Sequence, residues 1–270
     1  MDISICAAQC RVSIDPQDNL GAAKKAFLMA AKANCSIICF PEMFLTGPIS
    51  AKEYDEEMLQ GAKKTFSSLS KQCSMVSIMG SVMEKRKGRF YNTSFVFDDR
   101  GRQIGQYRKI HLTKGETRRI TPGKVLPVFK TKFGTIGVQI CRDLLYPEIT
   151  KALMKKGAQI IFCPSFWASR STQYSAIYNK KYFGKKEPRE VDALCSARAI
   201  ENAVYFIYSN GAGTFNKGKG KSTLLGRTQV ASPFYGTTLR LDHNRPAILT
   251  AAISFSVVKE AQDIYRTSKP

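Results

Sequence analysis

The chain has 270 residues, 43% hydrophobic and 23% charged, the balance of a globular protein with a sizeable core. No apolar run reaches the roughly 20 residues that span a bilayer, and the N-terminal MDISICAAQC lacks the basic start and long apolar stretch of a signal peptide. Forty-two Lys and Arg against 21 Asp and Glu give a net charge of +21, alongside eight cysteines and only two histidines.

Ile3–Cys10 reads as a first strand. Asp15 and Pro16 then supply an N-cap and a first helical residue, and Leu20, Ala23, Phe27 and Ala30 form an apolar stripe behind them. Ser36–Phe40 is a continuous run of the kind seen when both faces of a strand are buried. A second helix is expected over Asp55–Cys73, where Leu59, Ala62, Phe66, Leu69 and Cys73 recur at three- and four-residue steps. Met75–Met83 and Asn92–Asp98 read as strands flanking the turn-like KRKGR, and Asp99-Arg100-Gly101 closes another hairpin. Strands follow over Val125–Thr131 and Thr135–Ile140, then a helix over Glu148–Lys156 and a strand over Gln159–Cys163. A helix over Pro188–Ala203 and strands over Val204–Ser209, Thr228–Ala231 and Ala247–Ser254 complete the chain.

Strands alternating with helices argue for an α/β layered fold. With no Pro/Ser-rich linker and no shift in composition, residues 1–270 are expected to form a single domain. Residues Asn34–Phe44 and Gly157–Trp167 share an apolar strand, a proline and an aromatic, each after an amphipathic helix. That echo suggests two similar half-units facing each other.

Seven cysteines (Cys6, Cys10, Cys35, Cys39, Cys73, Cys163 and Cys195) mostly lie in apolar runs, where a free thiol is an ordinary core residue. The four-residue spacings Cys6–Cys10 and Cys35–Cys39 would separate the thiols by ~13 Å on a strand, too far for one zinc ion. No metal site and no disulfide framework are expected, and the protein is placed in the cytoplasm. Basic residues concentrate in Lys180–Arg189, Lys217–Lys221 and across Arg108–Lys132. With Tyr178, Tyr182 and Phe183 interleaved, the first stretch would suit nucleic acid or another polyanion. No helix-turn-helix, zinc-finger or RNA-recognition signature accompanies it, so solvated lysine loops are the preferred reading.

Three segments carry residues able to do chemistry. In Gly134–Glu148, an apolar strand ends at Cys141 and a Pro-Glu helix start follows almost at once. Backbone N–H groups at such a helix start are expected to lower the thiol pKa; the alternative is a packed small hydrophobe. Glu42 leaves the buried run Ser36–Phe40 after Pro41. Partial desolvation there would raise its pKa toward that of a general base, while a cap or surface ion pair explains it equally well. Lys109 is embedded among Tyr107, Ile110 and Leu112, and in isolation a packing or surface role is the commoner one. Should the three converge, the carboxylate takes the thiol proton and later activates water, and the ammonium stabilises an oxyanion.

Arg198 falls on the apolar face that Val191, Leu194 and Cys195 define in the helix 188–203. A buried guanidinium needs a partner, and Glu201 three residues on can supply it, so the pair reads as structural. Asp143, just after Cys141, reads as an orienting or capping residue.

Phe40-Pro41-Glu42, the segment 107–112 and Ile140–Glu148 resemble, in order and spacing, the Glu, Lys and Cys motifs of the nitrilase superfamily of carbon–nitrogen hydrolases. The resemblance runs from the first strand to about Ser254. It takes in YNTSFVFDDRGR (91–102), Pro122-Gly123, the Arg198–Asn202 helix, Asn210 and GRTQVASPFYG (226–236). It implies a four-layer α-β-β-α sandwich, assembled as homodimers or larger homo-oligomers. By position it makes Glu42 the general base, Lys109 the oxyanion-stabilising cation and Cys141 the nucleophile. Glu116 takes the place of a further essential glutamate that fixes the lysine and the substrate's amide or water. The backbone N–H of Arg142 would complete the oxyanion hole, and Trp167 falls beside the substrate pocket, a core aromatic being the alternative.

Arg142 stands where amidase-like members often carry an aromatic residue; a cation there would favour an acidic substrate or else point outward. Pro48 stands where a tyrosine commonly follows the Thr-Gly, which implies a different pocket rim. Cys-Arg-Asp is closer to the amidase-type Cys-x-Asp than to the Cys-Trp-Glu of nitrilases. The implied activity is a thiol amidohydrolase that cleaves a small carboxamide through a Cys thioester and releases ammonia or an amine, with no metal or organic cofactor. The alternatives are N-carbamoyl or ureido hydrolysis, nitrile hydrolysis, or polyanion binding on the same scaffold.

Overall fold

Two large β-sheets with helices on their outer faces, and a small third sheet of three strands, form the computed structural model, which describes residues 2–171, 175–182, 186–218 and 220–265. The first sheet runs β16 (Ala247–Ser254), β1 (Asp2–Gln9), β2 (Ile37–Cys39), β3 (Val76–Ile78), β5 (Arg89–Phe97) and β4 (Val82–Arg86), with β6 (Gln103–Arg108) also paired to β5. The second runs β15 (Gly236–Arg240), β14 (Gln229–Ser232), β11 (Tyr205–Asn210), β9 (Ile160–Ser165), β8 (Gly134–Val138) and β7 (Val128–Thr131). Each has a parallel centre, β1-β2-β3 in one and β8-β9-β11 in the other. The echoed segments supply β2 and β9, inner strands of the two sheets.

Strand alternation sets the layers. Along β1, Cys6 and Ala8 face α1 (Pro16–Lys32) and α2 (Glu56–Gln72), packing with Ala23, Phe27, Leu59 and Phe66. Ile5 and Ala7 face the second sheet and pack with Val138 and Phe162. That sheet's outer face is covered by α3 (Pro147–Lys155) and α5 (Lys186–Asn202), through Leu153, Val191 and Cys195. The order is the α-β-β-α sandwich. Asp15 caps α1 by accepting from the Gln17 N–H, and Asp55 caps α2 by accepting from Glu57 and Met58. Phe27, Phe40, Phe44 and Phe66 form one ring cluster beneath these helices, so Phe66→Ala would cost about 3–5 kcal/mol.

Met75–Met83 is not one strand. It divides into β3 and β4 around Gly80, whose φ of +65° is left-handed and where a Cβ would lie 2.0 Å from the Pro41 carbonyl oxygen. The break lets Ser81 N–H donate to that carbonyl and Ser81 Oγ accept from Met43 N–H, so it braces the segment carrying Glu42. KRKGR contains a two-residue turn, Lys87 and Gly88, both with positive φ, matching the twist of β4 and β5. α5 begins at Lys186, two residues earlier than its apolar stripe implied. Elements that the pattern did not reveal are β6, β10 (Ala168–Ser171), α4 (Ala176–Tyr182), β12 (Thr214–Lys217), β13 (Gly220–Leu224), β15 and α6 (Phe255–Tyr265). Most are short and polar, with too few buried side chains to impose a period.

The basic run Lys217–Lys221 lies on the β12–β13 hairpin. Lys217 there is engaged with Glu53 at 2.6 Å and with the Pro48 carbonyl. Lys219, Phe183 and Lys185 lie outside the described residues. Among the described residues no helix is long and apolar enough to cross a membrane.

Candidate active site

Glu42, Lys109, Glu116 and Cys141 come together between the two sheets. Glu42 follows β2, and its backbone N–H donates to the Ser165 carbonyl at the end of β9. Lys109 follows β6; its N–H donates to the Asn92 carbonyl, and its own carbonyl accepts from Gly123 N–H at 2.8 Å. A Cβ at Gly123 would lie 2.1 Å from the Arg108 carbonyl oxygen, which gives the Pro122-Gly123 pair a steric reason. Cys141 follows β8 with φ at +46°, a conformation non-glycine residues seldom adopt. A short 3-10 turn, Cys141–Leu145, separates it from α3.

The Lys109 ammonium donates to Glu42 Oε1 at 2.7 Å and to Glu116 Oε2 at 2.9 Å, and its side chain is 1% exposed. Burial opposes that charge, but Glu42, the Cys141 sulfur and Glu116 outweigh it and hold the ammonium above the ordinary lysine range. Burial likewise pushes the Glu116 carboxyl up, while Lys109, the Thr113 N–H and Asn92 together bring it below the usual carboxylate range. Glu42 Oε2 accepts from the backbone N–H of Phe166 at 3.0 Å. The carboxylate is therefore held on both oxygens.

The expected lowering of the Cys141 thiol pKa is not found. Burial, then the Glu42 charge, push it well above the ordinary thiol value, and Lys109 offsets this only in part. The helix N-terminus that was to lower it begins only at Pro147, beyond the 3-10 turn. A buried neutral thiol beside a carboxylate calls for a general base rather than a preformed thiolate.

The remaining residues fall as follows. Asp143 is fully buried and accepts from Ile140 N–H and the Tyr107 hydroxyl, both in Oδ2. Arg198 donates twice to the Leu144 carbonyl, in the turn that carries Cys141, and pairs with Glu201 at 3.0 Å. Trp167 is partly buried, next to Phe166, with its indole N–H donating to Glu187 at 2.6 Å. The Arg142 side chain is partly exposed, yet its Nε is buried with no hydrogen-bond partner.

Sequence reasoning missed Asn92. Its side-chain amide donates to Glu42 Oε1 at 2.8 Å and to Glu116 Oε1 at 2.9 Å, so it joins the two carboxylates through oxygens that also accept from the Lys109 ammonium. The available signal was a polar run, Asn92-Thr93-Ser94, set between the apolar pairs Phe90-Tyr91 and Phe95-Val96 of one strand. Thr113, whose N–H donates to Glu116 Oε2 at 2.8 Å, and the Phe166 N–H were also missed; a backbone donor has no sequence signature.

The family model described as carbon-nitrogen hydrolase matches residues 4–263. Omega-amidase NIT2 of Xenopus tropicalis is 27% identical over 267 residues, covering 94% of this chain and 90% of that protein. The carbon-nitrogen hydrolase of Helicobacter pylori G27 superposes with a TM-score of 0.89 at 23% identity, covering 99% of this chain and 94% of that one. A Glu-to-Gln mutant of the amidase from Nesterenkonia sp. AN1, with the acetamide moiety of fluoroacetamide added covalently at its active-site cysteine, superposes with a TM-score of 0.79 at 19% identity, covering 98% and 95%. The structural neighbours share the sandwich, and the family match spans almost the whole sequence. The chain is thus a member of the carbon–nitrogen hydrolase family, with the fold of the nitrilase superfamily.

Proposed function

We propose that the protein is a thiol amidohydrolase acting on small carboxamides. One observation carries the reading: a buried ammonium, Lys109, is shared by the carboxylates of Glu42 and Glu116 beside the Cys141 thiol. The Cys141 sulfur attacks the amide carbon as Glu42 takes the thiol proton, and Lys109 with the Arg142 N–H stabilises the resulting oxyanion. Glu42 returns the proton to the departing ammonia or amine, which leaves a thioester. Water, deprotonated by Glu42, attacks the thioester and releases the carboxylic acid and the thiol. Glu116 fixes Lys109 and takes no proton. The relatives named omega-amidases and the neighbour named an amidase favour amides over nitriles.

The acyl group is read as one that carries its own carboxylate. Arg142 directly follows the nucleophile with its Nε buried and unpartnered, and a guanidinium so placed gains most from a carboxylate. Trp167 is read as pocket wall. Residues 1–270 are taken as one catalytic domain. A homodimer is favoured by the exposed apolar side chains Ile200, Tyr235, Leu239 and Ile264 on α5, the β14–β15 turn, β15 and α6. Eight free thiols favour the reducing cytoplasm.

The test is an ammonia-release screen over linear amides, ω-amides of dicarboxylic acids and carbamoyl compounds, run beside Cys141→Ala. Turnover of an amide by the wild type and none by the variant supports the reading. Carbon dioxide release would instead identify a carbamoyl hydrolase.

A further inference from the structure

The proposed lysine and nucleophile stand on different sheets: Lys109 follows β6 in the first, and Cys141 follows β8 in the second. Glu42, which bonds Lys109, is tied to the second sheet through the Ser165 carbonyl and the Phe166 N–H, and a second tie joins the lysine stretch to the Cys141 turn. Tyr107, on β6, and His111, in the bend that follows, flank Lys109 two residues away on either side. The outer two both reach Asp143, in the turn after Cys141. Asp143 Oδ2 accepts from Tyr107 Oη–H at 2.7 Å and Ile140 N–H at 2.9 Å. Its Oδ1 accepts from His111 N–H at 2.9 Å and lies 3.0 Å from His111 Nδ1. Burial and the Asp143 charge push the Tyr107 hydroxyl well up, so it remains a donor. The His111 ring also lies flat on Tyr146, with centroids 3.5 Å apart and planes at 6°. Tyr146 N–H in turn donates to the Asp143 carbonyl.

We propose that His111 is a positioning residue: through Asp143 and Tyr146 it fixes the Lys109 stretch against the Cys141 turn. The inference rests on the roles given above to Lys109 and Cys141. With Nδ1–H donating to Asp143, all four acceptor positions of a carboxylate without solvent contact are filled. Removing the ring donor leaves Asp143 Oδ1 with the His111 N–H alone and one position of a buried carboxylate unfilled, which loosens the lysine stretch relative to the thiol. Because Lys109 favours the thiolate, any retreat of the ammonium slows the thiol's reactions and moves its titration to higher pH.

His111→Phe keeps a flat ring on Tyr146 and removes the donor. His111→Asn keeps a donor near the place of Nδ1 and removes the ring. The readouts on the full chain are the rate and pH profile of Cys141 alkylation by iodoacetamide, followed by peptide mass spectrometry, and kcat and KM for a turned-over amide. H111F is expected to slow alkylation and lower kcat by about 10- to 100-fold, with KM within about twofold, and H111N to recover most of the loss. The H111F alkylation profile moves to higher pH. Wild-type behaviour in H111F, or an H111N variant as impaired as H111F, would overturn the inference. A wild-type Cys141 no more reactive than Cys73 would overturn the nucleophile assignment beneath it.

Discussion

Lys109 Nζ and Glu42 Oε1 lie 2.7 Å apart with almost no solvent contact on either side chain. A buried pair of this kind is costly to break, because whichever partner is left keeps an uncompensated charge, at about 3–5 kcal/mol. The pair also acts on the thiol in opposite directions: Glu42 disfavours the thiolate and Lys109 favours it. The thiol's acidity therefore reports on both.

Removing the negative charge in Glu42→Gln should lower the pH at which Cys141 ionises, and the loss of the proposed base should abolish turnover. Removing the positive charge in Lys109→Met should raise that pH. Thiolate absorbance in the ultraviolet, read against Cys141→Ala, follows both. Shifts in the same direction in the two variants would contradict the arrangement.

Glu116 titrates below the usual carboxylate range when folded. A lowered folded pKa contributes stability that is present above the unfolded value and lost as pH falls through the folded one. Glu116→Gln lacks this contribution, so its urea midpoint should fall less than that of the wild type between neutral and acid pH. An equal acid-induced loss in both proteins would remove Glu116 from the account.

Asn92 donates to both carboxylates. Asn92→Asp is isosteric but replaces two donated bonds with a third negative charge. A fall in kcat of about 100-fold is expected. Unchanged kcat would mean that the amide only fills space.

Arg142→Met tests the acyl preference. For matched amides with and without a terminal carboxylate, it should lower kcat/KM by about 10- to 100-fold for the charged member and leave the neutral one within about twofold. Equal wild-type rates for the pair would retire the acidic-substrate reading.

Much of this site is legible in the sequence. The strand-to-cysteine turn announced itself because a strand, a cysteine and a Pro-Glu start are local features, and the Arg198–Glu201 pair followed from helical spacing alone. Asn92, His111 and the Phe166 N–H did not, since their roles depend on which strands the topology sets side by side. The direction of the Cys141 shift was misjudged because a helix N-terminus can be read from sequence, whereas the depth of burial and the approach of Glu42 cannot. The same limit governs the fold. Apolar runs such as Ser36–Phe40 mark central parallel strands, while the polar β12–β13 hairpin buries Phe215 and Leu224, too few to give it a period. Gly80 gave no warning that its strand breaks, because the reason is the Pro41 carbonyl packed against it.

The central claim is that Cys141 carries the acyl group. Intact-mass analysis of the protein quenched in acid during turnover of an amide should show an added mass equal to the acyl moiety, mapped to Cys141 and absent from Cys141→Ala. Full amide turnover by Cys141→Ala, or an adduct at another residue, would contradict it.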